Sequence, residues 1–214
     1  MGHEVFVSYK YSDGKETKDK IMRAIGKSGH FYNGEKGFCK LEVENSTLKQ
    51  YLADMIYGTT VTIVVISPNV RYSKWVDWEI QYSLETHTRN GKTNARNGIV
   101  CVMQSQKEFK YDEIFGARTV NNSNWAYNNY GCSRSIRYDI LPDLIIKNMV
   151  STFEPLRNNI GYLDSNETNI NLNDYCIVVL ENTFLSNPNK YINEAYARSN
   201  DYYNYQTKTR TSNW

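Results

Sequence analysis

An α/β fold, with a central parallel sheet and helices on both of its faces, is predicted by three features of the sequence. The runs "TVTIVVIS" and "NGIVCVM" are β-branched and apolar at every position, as in strands buried on both faces. Segments with apolar residues at helical spacing stand beside them. The two kinds of segment alternate along the chain, which is the rhythm of βαβ units.

The elements follow in order. "EVFVSY" reads as a first strand, and "KYSDGKE" after it as a polar loop. Ile21, Met22 and Ile25 mark a helix from about residue 17 that stops in the glycines at 26–29. "FCKLEV" predicts a second, short strand. "NSTLKQYLADMIYGT" predicts a helix capped by Ser46 or Thr47, with Leu48, Leu52, Met55 and Ile56 on one face. "TVTIVVIS" is the clearest strand, "SKWVDWEIQYSLETHT" a helix and "NGIVCVM" a further strand. Beyond them lie a helix in the later part of "YDILPDLIIKNMVSTF", a strand at "YCIVVL", and a helix at "PNKYINEAYARSNDYY" with Pro188 in its first turn. Residues 105–135 and 154–173, rich in Asn, Ser and Tyr, read as long loops or insertions. About five strands alternating with helices make a flavodoxin-like domain over residues 1–182, followed by a C-terminal helix and tail over 183–214.

Composition narrows the function classes. A 214-residue chain with 40% hydrophobic residues can build a substantial core. A net charge of +2, with the signs mixed, gives no field that argues for nucleic acid or a membrane surface as partner. No apolar run is long enough to span a membrane, and the amino terminus has no signal-peptide pattern, so a soluble, cytoplasmic protein is expected. The four cysteines lie far apart with no CxxC pair, and Cys101 and Cys176 fall inside apolar runs, as buried thiols do. No metal site is expected, because His3, His30 and His87 have no ligand-spaced partners. "GKSG" at 26–29 lacks the upstream glycine of a phosphate loop, and there is no GxGxxG or GxSxG.

The stretch "SKWVDWEI" holds the chemistry. On a helix capped by Ser73 or an earlier residue, Val76, Ile80 and Leu84 form the buried stripe. Trp75 and Glu79 share the adjoining one, while Asp77 and Gln81 are expected to point to solvent. In an open parallel sheet, ligands bind outside the carboxyl ends of the strands. A carboxylate there can hold ribose hydroxyls or stabilise positive charge developing on a sugar carbon. The other reading of Glu79 is an acid that stabilises the amino-terminal half of its helix.

"VFVSYKYSD", followed by "TVTIVVISPNVRYSKWVDWEI", resembles a TIR domain. The likeness covers residues 4 to about 103: "FVSY", the helix "LKQYLADMI", the strand and turn "TIVVISPN", and the Ser-x-Trp-x-x-x-Glu run at Ser73, Trp75 and Glu79. The wording is closest to the TIR-like proteins of bacterial Thoeris anti-phage systems, the ThsB group. The resemblance implies cleavage of the nicotinamide–ribose bond of NAD, with Glu79 catalytic, and a cyclic ADP-ribose-like signal for a partner effector. It also implies self-association, NAD as substrate and no separate cofactor. By the same resemblance Ser8, Tyr9 and Tyr11 line the nucleotide site and Asp13 borders it. Tyr9 and Tyr11 can equally be ordinary loop aromatics. Trp75 either walls the pocket or stacks on a ring there, or packs against the sheet. A non-enzymatic adaptor that self-associates, and a sensor that binds NAD or ADP-ribose without turnover, are the competing functions.

Overall fold

The computed structural model describes residues 2–26, 45–104, 134–137, 140–148, 160–163 and 175–210. Along them come β1 (Val5–Ser8), α1 (Tyr11–Ile25), α2 (Asn45–Tyr57), β2 (Val61–Ile66) and, after a 3-10 turn at Val70–Tyr72, α3 (Lys74–Leu84). A hairpin of β3 (His87–Arg89) and β4 (Lys92–Asn94) leads to β5 (Gly98–Met103). Then follow β6 (Arg134–Arg137), α4 (Asp143–Asn148), β7 (Ile160–Leu163), β8 (Cys176–Leu180), α5 (Glu181–Ser186) and α6 (Pro188–Asn200).

Among the described residues four strands form the central sheet in the order β1-β2-β5-β8, and every neighbouring pair is parallel. The α/β class with a parallel sheet is therefore as the sequence predicts. The expected strand "FCKLEV" lies outside the described residues. Alternation along each strand divides the core in two. Val5, Val7, Ile63, Val65, Val100, Val102, Ile177 and Val179 pack with Ile21 of α1, Phe184 of α5 and Tyr191, Ile192 and Ala195 of α6. On the other face Val64, Ile66, Cys101, Met103 and Val178 meet Val76, Ile80 and Leu84 of α3 and Leu144 and Ile145 of α4. Each fully buried aliphatic side chain contributes ~1.5–3 kcal/mol by leaving water, so the two layers together hold the sheet between helices. A third cluster joins Phe6 of β1 to Leu52, Met55 and Ile56 of α2.

Several boundaries differ from the expectation. The helix α1 begins at Tyr11 rather than near residue 17, so "KYSDGKE" lies largely in its first turns instead of a loop. Gly14 permits this early start, because a Cβ there would stand 3.2 Å from the Tyr9 Cβ. The helix α3 ends at Leu84, and "ETHT" does not continue it. There the chain turns into the β3–β4 hairpin through Asn90 (φ 50°) and Gly91 (φ 74°), a pair suited to a turn that needs positive φ at both positions. Against the expectation of loops at 105–135 and 154–173, β6 at the end of the first and β7 inside the second pair as an antiparallel ribbon.

Gly98, the first residue of β5, is where α6 comes closest to the sheet. A Cβ there would lie 2.1 Å from the Ala195 carbonyl oxygen and 2.3 Å from its carbon, both backbone atoms that no rotamer change can move. Gly98→Ala is therefore expected to lower unfolding free energy by ~1–3 kcal/mol as α6 is pushed from β5. Urea titration followed by circular dichroism measures it, and an unchanged midpoint would contradict the close approach.

Candidate functional site

The candidate site is assembled where β1, β2 and β5 end and α1 and α3 begin. Alternation points Ser8, the last residue of β1, to the face that α3 covers. The helix α3 starts at Ser73, whose hydroxyl accepts the Val76 N–H at 3.4 Å, and its stripe of Val76, Ile80 and Leu84 is at most 2% exposed. With that stripe buried, Glu79 is turned inward at 8% exposure, and the Ser8 hydroxyl donates to its Oε2 at 2.5 Å. Two residues 71 apart in sequence thus share one buried contact.

A polar chain holds the next turn of α3 on the same face. Asn97 Nδ2 donates to Thr62 Oγ1 at 3.1 Å, the Thr62 and Ser83 hydroxyls lie 2.8 Å apart, and Ser83 Oγ donates to the Glu79 carbonyl oxygen at 2.8 Å. The β2 strand therefore fixes the main chain of Glu79 while β1 receives its side chain.

Electrostatics follow from the burial. Removal from water disfavours the charged form, and the Glu79 carboxyl is pushed from 4.5 to about 8, against the weaker lowering by the Ser8 hydrogen bond. An acid with a pKa near neutrality, enclosed at the strand ends of a parallel sheet, is a site candidate on physical grounds. Cys101 is not: it lies in the middle of β5, fully buried, and burial drives its thiol far up.

The other expected residues are distributed around this contact. Asp13 is in the first turn of α1, where its Oδ2 accepts from both the N–H and the Nδ2 of Asn69 at 3.0 Å each. Its main-chain oxygen accepts from Gln104 Nε2 at 2.6 Å. It ties α1 to the ends of β2 and β5. Tyr9 is half-buried against the α1-side core, with the Lys18 ammonium 5.4 Å from its ring centre. Tyr11 opens α1 and is 57% exposed, with the Lys15 ammonium 5.1 Å from its ring centre. Trp75 is half-buried and packs on the Phe6, Leu52, Met55 and Ile56 cluster, so the packing reading describes the place of its ring.

Three polar residues at the same strand ends escape a motif search. Asn69 is the partner of Asp13, and Lys10 Nζ donates to its carbonyl at 3.3 Å. Ser67 follows β2 and Gln104 follows β5, and both are at most 3% exposed. Among the described residues Ser67 Oγ and Gln104 Oε1 have no hydrogen-bond partner. The signal in the sequence was positional: Ser67 and Gln104 each stand one residue past a two-sided apolar strand and Asn69 three residues past one, where the ligand end of such a sheet lies. The expectation for Asp77 and Gln81 is corrected. Asp77 is paired with Arg210, and Gln81 is 7% exposed and bonded to the Arg210 main chain, because the segment after α6 covers that face.

Residues 6–108 match the model of the family described as Thoeris protein ThsB, TIR-like domain. The matched segment runs from β1 to just past β5 and holds Ser8, Tyr9, Tyr11, Asp13, Trp75 and Glu79. It bears out the resemblance read from the sequence over just under half of the chain. Among the described residues no helix is long and apolar enough to cross a membrane.

The Glu79 shift has a measurable consequence for stability. Below 4.5 the carboxyl is protonated in both folded and unfolded chains. As pH rises toward about 8 the unfolded chain ionises first, so folding stability is present at low pH and lost as pH climbs through that window. Each unit of difference is worth ~1.4 kcal/mol. Urea unfolding at pH 5 and pH 9 should show Glu79→Gln more stable than the native chain at pH 9 and with a shallower decline. Parallel pH curves for the two proteins would contradict a buried, neutral Glu79.

Proposed function

Taking residues 6–108 as the TIR-like domain of Thoeris protein ThsB, we propose that the chain is an NAD-consuming enzyme of anti-phage defence. It cleaves the nicotinamide–ribose bond and makes a cyclic ADP-ribose-like signal for a separate effector protein. The observation that carries this reading is the Ser8–Glu79 contact: an enclosed carboxyl, held near neutrality by burial, at the ligand end of a parallel sheet.

The chemistry suits one carboxyl. In NAD the pyridinium nitrogen is already cationic, so nicotinamide departs as a neutral molecule and needs no strong acid to protonate it. The remaining task is to stabilise an oxocarbenium-like transition state and hold the ribose in place. A pyridinium ring beside Glu79 favours its ionised form, and the carboxylate so produced faces the positive charge that grows on the sugar carbon. Ser8, donating to Oε2, fixes the orientation of that carboxylate. Whether water or a nitrogen of the substrate's own adenine captures the sugar carbon decides between a linear and a cyclic product. Excluding water from a closed site favours the cyclic one.

The exposed ring of Tyr11 at the head of α1 is suited to stack on a base or ring of the nucleotide, and Asp13 and Asn69 brace the loop beside it. Self-association is part of the proposal. Turnover is therefore to be measured on the assembled protein as well as on the resting chain.

The test is incubation with NAD and chromatographic detection of nicotinamide and ADP-ribose derivatives. Glu79→Gln is expected to reduce turnover by ~100-fold or more and to abolish phage protection. Absence of nicotinamide from assembled protein, together with intact protection by Glu79→Gln, would sink the proposal. The pH profile is a second check. Activity of the free enzyme should rise with pH toward about 8 as Glu79 ionises. Because the Ser8 hydrogen bond lowers the Glu79 pKa, Ser8→Ala should move this limb to higher pH. A limb that stays in place would show that Ser8 does not touch the titrating group.

A further inference from the structure

The outer face of α3 carries contacts for which the proposed chemistry has no use. Residues 205–210, beyond α6, have no helix or strand of their own, yet they are held to the domain by their main chain. The Arg210 N–H donates to Gln81 Oε1 at 2.9 Å, and Gln81 Nε2 donates to the Arg210 carbonyl at 3.3 Å. Two residues earlier, the Lys208 N–H donates to Asn148 Oδ1 at 2.8 Å, and Asn148 Nδ2 returns a bond to the Lys208 carbonyl at 2.8 Å. Each side-chain amide thus takes both backbone groups of one residue, as a neighbouring strand would. Gln81 is 7% exposed and Asn148 3%, so departure of the segment would strip two enclosed amides of these partners.

The same segment grips α3 along its whole length. In the first turn the Arg210 guanidinium spans both oxygens of Asp77, with Nη2 2.9 Å from Oδ1 and Nη1 on Oδ2. Gln81 is the middle contact. At the last turn Thr207 Oγ1 donates to the Leu84 carbonyl at 3.4 Å. Asp77 and Glu79 are two residues apart, about 200° around a helix, so the grip is applied opposite to the side chain that enters the site.

We propose that residues 207–210 are a positioning strap for the site, setting how firmly α3 is pressed against β1 and hence where Glu79 stands relative to Ser8. Arg210 acts through Asp77 and Gln81 and touches no substrate. The proposal rests on the reading of Glu79 as the catalytic group. It adds a specific dependence on a residue far outside the segment that carries the family match. An 11-residue helix depends chiefly on tertiary packing, so removing one wall lets the inner face tilt. Displacement of reacting groups by even an ångström is costly for turnover.

The experiment uses the full chain with Arg210→Glu, Arg210→Lys and the charge-swapped Asp77→Arg/Arg210→Glu. Hydrogen exchange resolved by residue should show the Lys208 and Arg210 amides at least ~10-fold faster in Arg210→Glu. Nicotinamide release should fall in kcat by roughly fivefold or more with KM within about twofold, since the substrate contacts are untouched. The swapped pair should recover most of the loss, and Arg210→Lys, whose ammonium cannot span both Asp77 oxygens, only part of it. A loosened strap with unchanged kcat would make it a passive cover and overturn the proposal, and so would a kcat loss that the swap fails to repair. If the native chain releases no nicotinamide, the catalytic reading fails, and the strap is judged from the Glu79 carboxyl resonance alone. A midpoint that drops from about 8 in Arg210→Glu, as water reaches the carboxyl, supports the strap, and an unmoved midpoint refutes it.

Discussion

Covering both faces of a parallel sheet leaves no room for polar side chains along its strands, and much of this molecule follows from that constraint. The interiors of β2, β5 and β8 are apolar except for Thr62, whose hydroxyl is absorbed by Ser83 and Asn97. Hydrogen-bonding capacity is displaced to the strand ends. At the carboxyl ends it gathers as Ser8, Ser67 and Gln104, each the first polar side chain after an apolar run or its last residue. Enclosure raises the Glu79 pKa there, and the same enclosure leaves Ser67 Oγ and Gln104 Oε1 without partners among the described residues. A buried core and a chemically tense edge are two results of one packing arrangement.

This explains which parts of the structure were legible in the sequence. Strands buried on both faces announce themselves by unbroken apolar runs, so β2, β5 and β8 were read with small errors at their ends. The α3 stripe of Val76, Ile80 and Leu84 put Glu79 on the adjoining stripe, and its inward turn follows from the burial of that stripe. The start of α1 was not readable, because Tyr11 to Gly14 look like loop residues and the pull toward helix comes from Tyr9, Gln104 and Asn69, all remote or non-helical. The end of α3 was missed for a different reason: "ETHT" has adequate helical character, and the decisive Asn90-Gly91 signal lies several residues later.

The candidate site divides along the same line. Glu79 and Ser8 were found from a motif, yet their mutual hydrogen bond joins positions that no local pattern relates. Asp77 and Gln81 were placed in solvent because helical geometry sees only the helix and its core. The segment that covers them follows α6 and has no periodicity to declare where it will lie. Long-range main-chain recognition by side-chain amides leaves no trace in composition or spacing, so such contacts are the ones sequence reasoning loses first.

The close approach of α6 at Gly98 bears on how this fold can be borrowed or divided. The family match stops at residue 108, but β5 has β8 hydrogen-bonded along its far edge and α6 against its first residue. A fragment cut at that boundary would expose the ladder of β5 as an open edge and uncover Val100 and Val102 on one face. Bare apolar strands of that kind seed aggregation. The limit of family likeness in this chain is therefore not a seam at which it can be taken apart. Transplanting the half that holds Ser8 and Glu79 into another protein would require carrying β8 and α6 with it.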